Sequence, residues 1–387
     1  MEEKRCIFHV PNYIDVHGRS GSQVRPLKIK KTLEGLGYEV DVVMGYGKER
    51  KKEIKRIKEK IRQGITYDFL YSESSTMPTL LTEKSHLPFY PNLDFGFWKF
   101  CKNNSIRIGL FYRDVIWKFE QYKKAVPWYM RLVTFVFYKY DLFKYNKLVD
   151  VLYLPSERLK KYVSECSRIS MKVLPPGADY DENVIEKRED HYKRKTDEII
   201  NIFYVGGVYG IYDIIELVKK IREKNNVYMT ICCKKEAWEQ ERERYSPFMT
   251  DRIKVIHSSG KELAKYYLEA DICSCYFDIA NHEYMKLATP IKLLEYISYV
   301  TPVIATKGSC AGDFVEKYDI GWSIPYNMES LDDLLERLII NKGEILEKQH
   351  NVINCLKDNT WEKRVMKVQK DLIKEKINNE AAATKQN

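Results

Sequence analysis

Apolar residues in this chain fall into short continuous runs, separated by longer stretches where they recur every three or four positions. The runs predict strands buried on both faces, and the stretches between them predict amphipathic helices. Cys6–Val10 is the first such strand. A polar loop from Asn12 to Gly21 follows, then a helix over Gln23–Leu36 with Gly37 placed to end it, then a strand over Glu39–Met44. Lys48–Gly64 predicts a basic surface helix, with Ile54, Ile57 and Ile61 forming a thin inward stripe. Further strands are expected at Asp68–Ser72, Ile106–Phe111 and Val151–Pro155, with helices over Phe95–Asn104 and from Ser156 onward.

The second half repeats the pattern. Strands are expected at Ile199–Val205, Val227–Cys232, Ile253–His257, Asp271–Tyr276 and Pro302–Ala305. Helices are expected at Tyr212–Lys224, Lys261–Ala270 and Pro290–Tyr299. Strands and helices alternating at these lengths predict α/β domains built on parallel sheets. Between the halves lies VLPPGADYD, Val173–Asp181, whose proline, glycine and aspartate content suits a hinge. The domain reading is residues 1–172, a hinge at 173–182, a second domain at 183–358, a C-terminal helix at 359–376 that returns to the first domain, and a flexible tail at 377–387.

Length and composition agree with this division. A chain of 387 residues with 44% hydrophobic content can bury two cores. The net charge of +10 favours anionic partners without choosing among them. Nine cysteines without a Cys-x-x-Cys pair exclude zinc ribbons and thioredoxin-like sites. They read as reduced, and so as cytoplasmic. The opening MEEKRCIFHVPNY has no secretion-signal layout, and no apolar run reaches the ~18 residues of a membrane span. The expectation is a cytoplasmic protein, at most peripheral at the inner face of the membrane.

The chemistry concentrates in residues 288–306, ATPIKLLEYISYVTPVIAT. Thr289-Pro290 places proline at the first helical position, where its missing N–H costs nothing. The open N–H groups of that helix start attract an anion. Lys292 and Glu295 share a face, so the lysine can meet a diphosphate and the glutamate a ribose diol. The plainer reading is a surface ion pair between them.

This segment resembles the nucleotide-binding signature of GT-B glycosyltransferases, in particular the large retaining family 4. Other stretches follow that family's order: Gly18-Arg19-Ser20-Gly21-Ser22 as the glycine loop, Gly35–Val40, Pro155-Ser156, Leu174–Asp179 as the hinge, and Tyr204-Val205-Gly206-Gly207 opening the second domain. The resemblance implies two Rossmann-like domains facing across a cleft. It also implies transfer of a sugar, with retention, from a UDP- or GDP-sugar to a glycan or lipid-linked acceptor in polysaccharide or glycoconjugate biosynthesis. It places the donor at Gly206, Gly207, Thr289, Pro290, Lys292 and Glu295, with Gly18, Ser20, Gly21 and Ser22 as further phosphate or substrate contacts. It implies no metal and no cofactor beyond the nucleotide sugar.

Two departures stand out. Leu287 occupies the position of the first of the family's paired glutamates, and VYGIYDI after Gly207 lacks the expected diphosphate-clamping Arg and Lys. Where the family often has a histidine, Arg113 and Asp114 follow the strand ending at Phe111. We assign Asp114 to a hydroxyl and Arg113 to a charged group, against the alternatives of an ion pair or a helix cap.

Arg19 and Arg25 are further phosphate candidates. His257 and the Asn281-His282-Glu283 stretch are weaker candidates for base or phosphate contacts. Asp179-Tyr180-Asp181 mimics a metal motif but lies in the hinge, so no metal is expected there. The basic helix at 48–62 and the aromatic-lysine stretch at 126–148 suit an anionic membrane surface. A nucleic-acid partner is not expected, since no such motif is present. A sugar-nucleotide epimerase of the same fold and a catalytically lapsed binding protein remain as rivals.

Overall fold

The computed structural model describes residues 3–384 apart from 17, 19, 195–197 and 281; for 121, 193, 194, 284 and 374–384 only the backbone is described. Arg19 and Asn281, both singled out above, lie outside the described residues. The chain divides into two units, Met1–Pro176 with Trp361–Asn387, and Gly177–Thr360.

The first unit runs β1 (Arg5–His9), α1 (Gly21–Gly35), β2 (Glu39–Val43), α2 (Gly47–Arg62), β3 (Phe69–Glu73), α3 (Leu93–Asn103), β4 (Arg107–Phe111), α4 (Glu120–Ala125), α5 (Trp128–Leu148), β5 (Val151–Leu154) and β6 (Ser170–Val173). All strand pairs are parallel, in the order β2-β1-β3-β4-β5-β6. The β3 and β5 side chains are buried throughout, as expected when both faces of a parallel sheet are covered. Ser170–Val173 was not expected as a strand. It is the sheet's edge, and its half-exposed SMKV carries no apolar run. The helix expected from Ser156 is a kinked 3-10 stretch, Glu157–Cys166, with Val163 outside helical angles.

The second unit runs α6 (Glu182–Arg194), β7 (Ile200–Val205), α7 (Ile215–Arg222), β8 (Val227–Cys232), α8 (Lys235–Tyr245), β9 (Ile253–Ile256), α9 (Leu263–Glu269), β10 (Ile272–Cys275), α10 (Ile291–Ser298), β11 (Val303–Thr306), α11 (Cys310–Tyr318), β12 (Gly321–Ile324), α12 (Met328–Ile340) and α13 (Gly343–Asp358). Its strands are also all parallel, in the order β12-β11-β10-β7-β8-β9. The last helix, α14 (Trp361–Thr384), belongs to the first unit, where it packs on α1 and β4. It runs beyond residue 376, where the tail was expected to begin.

Each sheet reverses its direction of winding once, between β1 and β3 in the first unit and between β7 and β10 in the second. In open α/β sheets ligands bind outside the carboxyl ends of the strands at such a switch point. The strand order therefore directs attention to the residues after Val205 and Cys275 in one unit, and after His9 and Glu73 in the other. All nine cysteines are free and buried. Burial pushes the Cys275 thiol up to about 12, which leaves it an inert packing group.

Candidate functional site

The second unit's switch point holds Lys292. Its ammonium donates to Tyr204 Oη at 3.2 Å and lies 4.7, 4.5 and 4.9 Å from the ring centres of Tyr204, Tyr212 and Phe277. Tyr204 Oη in turn donates to the Gly207 carbonyl at 2.5 Å. The cage is assembled by the sheet. Tyr204 is the next-to-last residue of β7, Phe277 follows β10 next to it, and α10 delivers the lysine. Tyr296, one turn along α10, accepts from the Val205 N–H at 3.3 Å and is fully buried, so the helix is tied to the end of β7.

Gly206 completes the pocket. A Cβ there would stand 2.4 Å from Lys292 Nζ, and its φ of +152° is one that other residues rarely adopt. Among the described residues the ammonium makes no ion pair, so the surface pair with Glu295 does not form. Desolvation by the rings lowers the Lys292 pKa to about 8, the nearby Cys275 and Glu295 opposing it. This is a cation held without a counter-ion among the described residues, beside the open end of a sheet.

Pro290 stands one residue earlier than expected. Its φ of −68° and ψ of 141° are extended, which makes it the N-cap of α10 and not its first helical residue. Thr289 precedes it in the same loop. The first-turn N–H groups of α10 open on the same end of the helix as Lys292. Glu295 lies on the next part of that face and is half-buried. Leu287 is 2% exposed, so the position of the family's first glutamate is packed as core.

In the first unit Gly21 and Ser22 begin α1, and Ser20 is its N-cap, its hydroxyl 2.7 Å from that of Ser22 and making no cap hydrogen bond. Gly18 donates to the Asp15 carbonyl at 3.0 Å, which folds the loop back. A Cβ at Gly18 would stand 2.6 Å from Gln23 Cγ, whose side chain accepts from Asp15 N–H at 2.7 Å. Arg25 is not on the solvent face. It is 3% exposed, stacked 3.6 Å from the Phe111 ring centre, with Nε 3.1 Å from Glu73 Oε1. Glu73, fully buried at the end of β3, also takes a hydrogen bond from Tyr71 Oη at 3.0 Å and faces Arg113 at 3.6 Å. Arg113 thus answers Glu73, and its Nε donates to the Ser74 carbonyl at 3.3 Å.

Asp114 caps a short turn through the Ile116 N–H at 3.3 Å. Burial pushes its carboxyl up to about 6, against the pull of that N–H and of Arg113. Beneath this edge, His9 at the end of β1 contacts Ser72 Oγ at 2.8 Å and Asp94 Oδ1 at 2.9 Å, and Arg50 closes on Asp94 at 3.0 Å. Glu73 and His9 were missed by the sequence reading. The only local signal was a polar residue ending an apolar strand.

His257 and Asp181, two of the remaining candidates, have structural partners. His257 lies beyond β9, with Nδ1 2.9 Å from the Cys233 carbonyl. His282 is half-buried, outside the lysine cage. Asp181 takes the Asn183 N–H at 3.0 Å at the start of α6. Among the described residues no group of acidic, histidine or cysteine side chains could hold a metal ion.

Residues 184–357 match the model of the family described as glycosyl transferases group 1. None of the curated proteins matches the chain. Among solved structures, a sucrose-phosphate synthase from Thermosynechococcus elongatus is similar over 98% of this chain and 100% of its own, at 13% identity and a TM-score of 0.63. WaaG, a glycosyltransferase involved in lipopolysaccharide biosynthesis, is similar over 95% of this chain and 99% of its own, at 15% identity and a TM-score of 0.59. Anabaena HepE, solved in complex with UDP, is similar over 95% and 99%, at 10% identity and a TM-score of 0.63. At these identities the structures speak for the fold, and the family match speaks for the second unit. Taken together, residues 184–357 are similar to glycosyl transferases group 1, and the chain has the fold of the GT-B glycosyltransferases.

Proposed function

We propose that the chain moves a sugar from a nucleotide-sugar donor, UDP- or GDP-linked, to a glycan or lipid-linked saccharide acceptor, with retention and without a metal. The observation that carries this reading is Lys292: an ammonium caged by rings, without an ion pair among the described residues, beside a glycine where a Cβ would stand 2.4 Å from it. A diphosphate supplies the missing charge. The start of α10, with Thr289 and Pro290, and the Gly206-Gly207 turn offer backbone dipoles to the same group, and Glu295 accepts from the ribose diol. As the anomeric bond breaks, negative charge gathers on the leaving diphosphate. Dipoles and a cation already in place favour that state over the ground state. In the first unit the Gly18–Ser22 loop and Asp114 receive the acceptor, with Arg113 for a charged group on it.

The test of the donor site is thermal melting against UDP-, GDP-, dTDP- and ADP-sugars, on wild type and Glu295→Ala. A donor present at 100 times its Kd stabilises by about 2.7 kcal/mol, a rise of several degrees. That rise is expected for one base and is lost in Glu295→Ala. A donor that shifts both proteins equally would remove Glu295 from the site. A donor bound and never turned over, with any acceptor, would mark a lapsed enzyme, consistent with the carboxylate replaced by Leu287.

Two titrations shape the pH dependence. Asp114 accepts a hydroxyl hydrogen bond far more strongly when ionised, so kcat/KM is expected to rise through pH of about 6. Lys292 loses its proton above about 8, and kcat/KM falls there. Asp114→Asn is expected to remove the acid limb and leave the alkaline one. An acid limb unchanged in Asp114→Asn would clear Asp114 of this role.

A further inference from the structure

The first half of α5 has an unusual surface. Trp128, Leu132 and Val136 are 66%, 62% and 64% exposed, and Tyr129, Met130, Val133 and Phe135 are also open to solvent. Large apolar side chains pointing out from one helical segment are costly unless something covers them. The exposure is not that of a loose end. Beneath it, Trp117 and Tyr138 stack with ring centres 4.7 Å apart and planes 5° from parallel. Tyr122 Oη and Thr134 Oγ1 are 2.7 Å apart, joining α4 to α5. Tyr138 Oη donates to the Thr76 carbonyl at 2.8 Å, and Asp141 takes the Thr79 N–H at 2.7 Å. This braced base floors a pocket of about 560 Å³ whose walls include Trp128, Leu132 and Phe135.

Charge surrounds the apolar surface. Residues 118–147 carry seven lysines and arginines against two acids, and one of the acids, Asp141, is buried. Lys118 and Lys139 share Glu165, and Lys123 pairs with Glu120. Lys124 and Arg131 make no ion pair among the described residues. By contrast α2, the other basic helix, exposes no large apolar side chain. Its Arg56 and Lys60 are answered by Asp41, Glu39 and Glu53.

We propose that the α4–α5 surface docks on an anionic phospholipid bilayer. Trp128, Leu132 and Val136 enter the headgroup–acyl boundary, the pocket takes a lipid chain, and Lys124 and Arg131 meet lipid phosphates. Aromatic and aliphatic side chains ringed by basic residues suit that boundary, where one side is apolar and the other anionic. A second copy of the chain is a poorer occupant. A two-fold interface presents the same patch from both sides, and would set Lys124 and Arg131 against their own copies. Among the described residues no helix is long and apolar enough to cross a membrane, so the contact is interfacial. The proposal does not depend on the donor assignment.

The test is co-sedimentation of the full chain with phosphatidylglycerol–phosphatidylcholine vesicles and with pure phosphatidylcholine vesicles. Quenching of tryptophan emission by brominated lipid, in wild type and Trp128→Phe, reads the insertion itself. The wild type is expected to bind the anionic vesicles, to bind less at high salt, and to show quenching that Trp128→Phe removes. Lys124→Ala with Arg131→Ala is expected to weaken partitioning about fivefold per residue, on the order of 20-fold together. Leu132→Ser with Val136→Ser is expected to abolish it while leaving the melting temperature and donor binding unchanged, since both side chains are already in solvent. Equal binding by all variants, no binding to anionic vesicles, or a dimer that Leu132→Ser with Val136→Ser dissociates would each overturn the proposal.

Discussion

Lys292→Met is expected to eliminate donor binding and, in the same protein, to raise the stability of the ligand-free state. The two effects have one cause. The ammonium sits among three rings, where desolvation has lowered its pKa from 10.5 to about 8. The folded state therefore binds its proton less tightly than the unfolded chain does. The penalty is complete below pH of about 8 and is relieved as pH rises towards 10.5, so this site makes the protein more stable with rising pH across that window. At neutral pH the shift corresponds to about 3 kcal/mol. Methionine fills similar space without the charge and removes the penalty. The same substitution takes away the cation that answers the leaving diphosphate, and kcat/KM should fall on the order of 100- to 1,000-fold. Melting curves at pH 7 with and without donor, together with single-turnover rates, read both effects. A methionine variant less stable than wild type, yet active, would mean that the lysine serves the fold. Gly206 belongs to the same arrangement, because any side chain there displaces the ammonium.

Asp94→Ala should give the largest loss of stability in the first unit. Asp94 and Arg50 are both buried, and His9 lies against the same carboxylate. Burial alone would raise the Asp94 pKa, but His9 and Arg50 more than offset it and hold the group below its usual value. Removing the carboxylate leaves Arg50 buried and its charge without that partner, a loss of about 3–5 kcal/mol. Glu83, 3.7 Å from Arg50, can recover only part of it. Because the folded pKa is depressed, the stabilisation is present above the usual aspartate range and fades as pH falls through the folded value. Urea unfolding of Asp94→Ala should show the midpoint shift. Asp94→Ala with Arg50→Met, which removes both charges, should recover much of it. A shift of less than about 1 kcal/mol in the single variant would show the network to be dispensable.

The strand and helix pattern was legible because parallel strands covered on both faces must be apolar throughout. Ile200–Val205 and Val303–Thr306 therefore announce themselves. Ser170–Val173 did not, because an edge strand has only one neighbour and its side chains are half exposed. Lys292 and Glu295 were legible for a local reason, their three-residue spacing on a helix that follows a Thr-Pro loop. Their environment was not. Tyr204 is 88 residues from Lys292, and only the crossing from β9 back to β10 beside β7 brings Phe277 and the lysine to the end of the same strand. Sequence alone left the lysine as a surface ion pair or a phosphate ligand, and the cage decided between an exposed and a desolvated cation.

The same division holds in the first unit. The apolar runs and the glycine loop determined where strands end and where α1 begins. They could not determine that Arg25 turns inward onto Phe111 and Glu73, because an arginine near the start of a helix has equal access to solvent and to the sheet edge until β3 and β4 are in place. Nor could composition tell the buried aromatics of α5 from the exposed ones. Tyr138 and Tyr145 became core while Trp128, Leu132 and Val136 became surface, because the helix projects past the residues that cover its second half. Local periodicity and chain chemistry determined the elements, their order and the charged residues offered to a ligand. Long-range packing decided which of those charges lost their water, since desolvation depends on neighbours that lie far away along the chain.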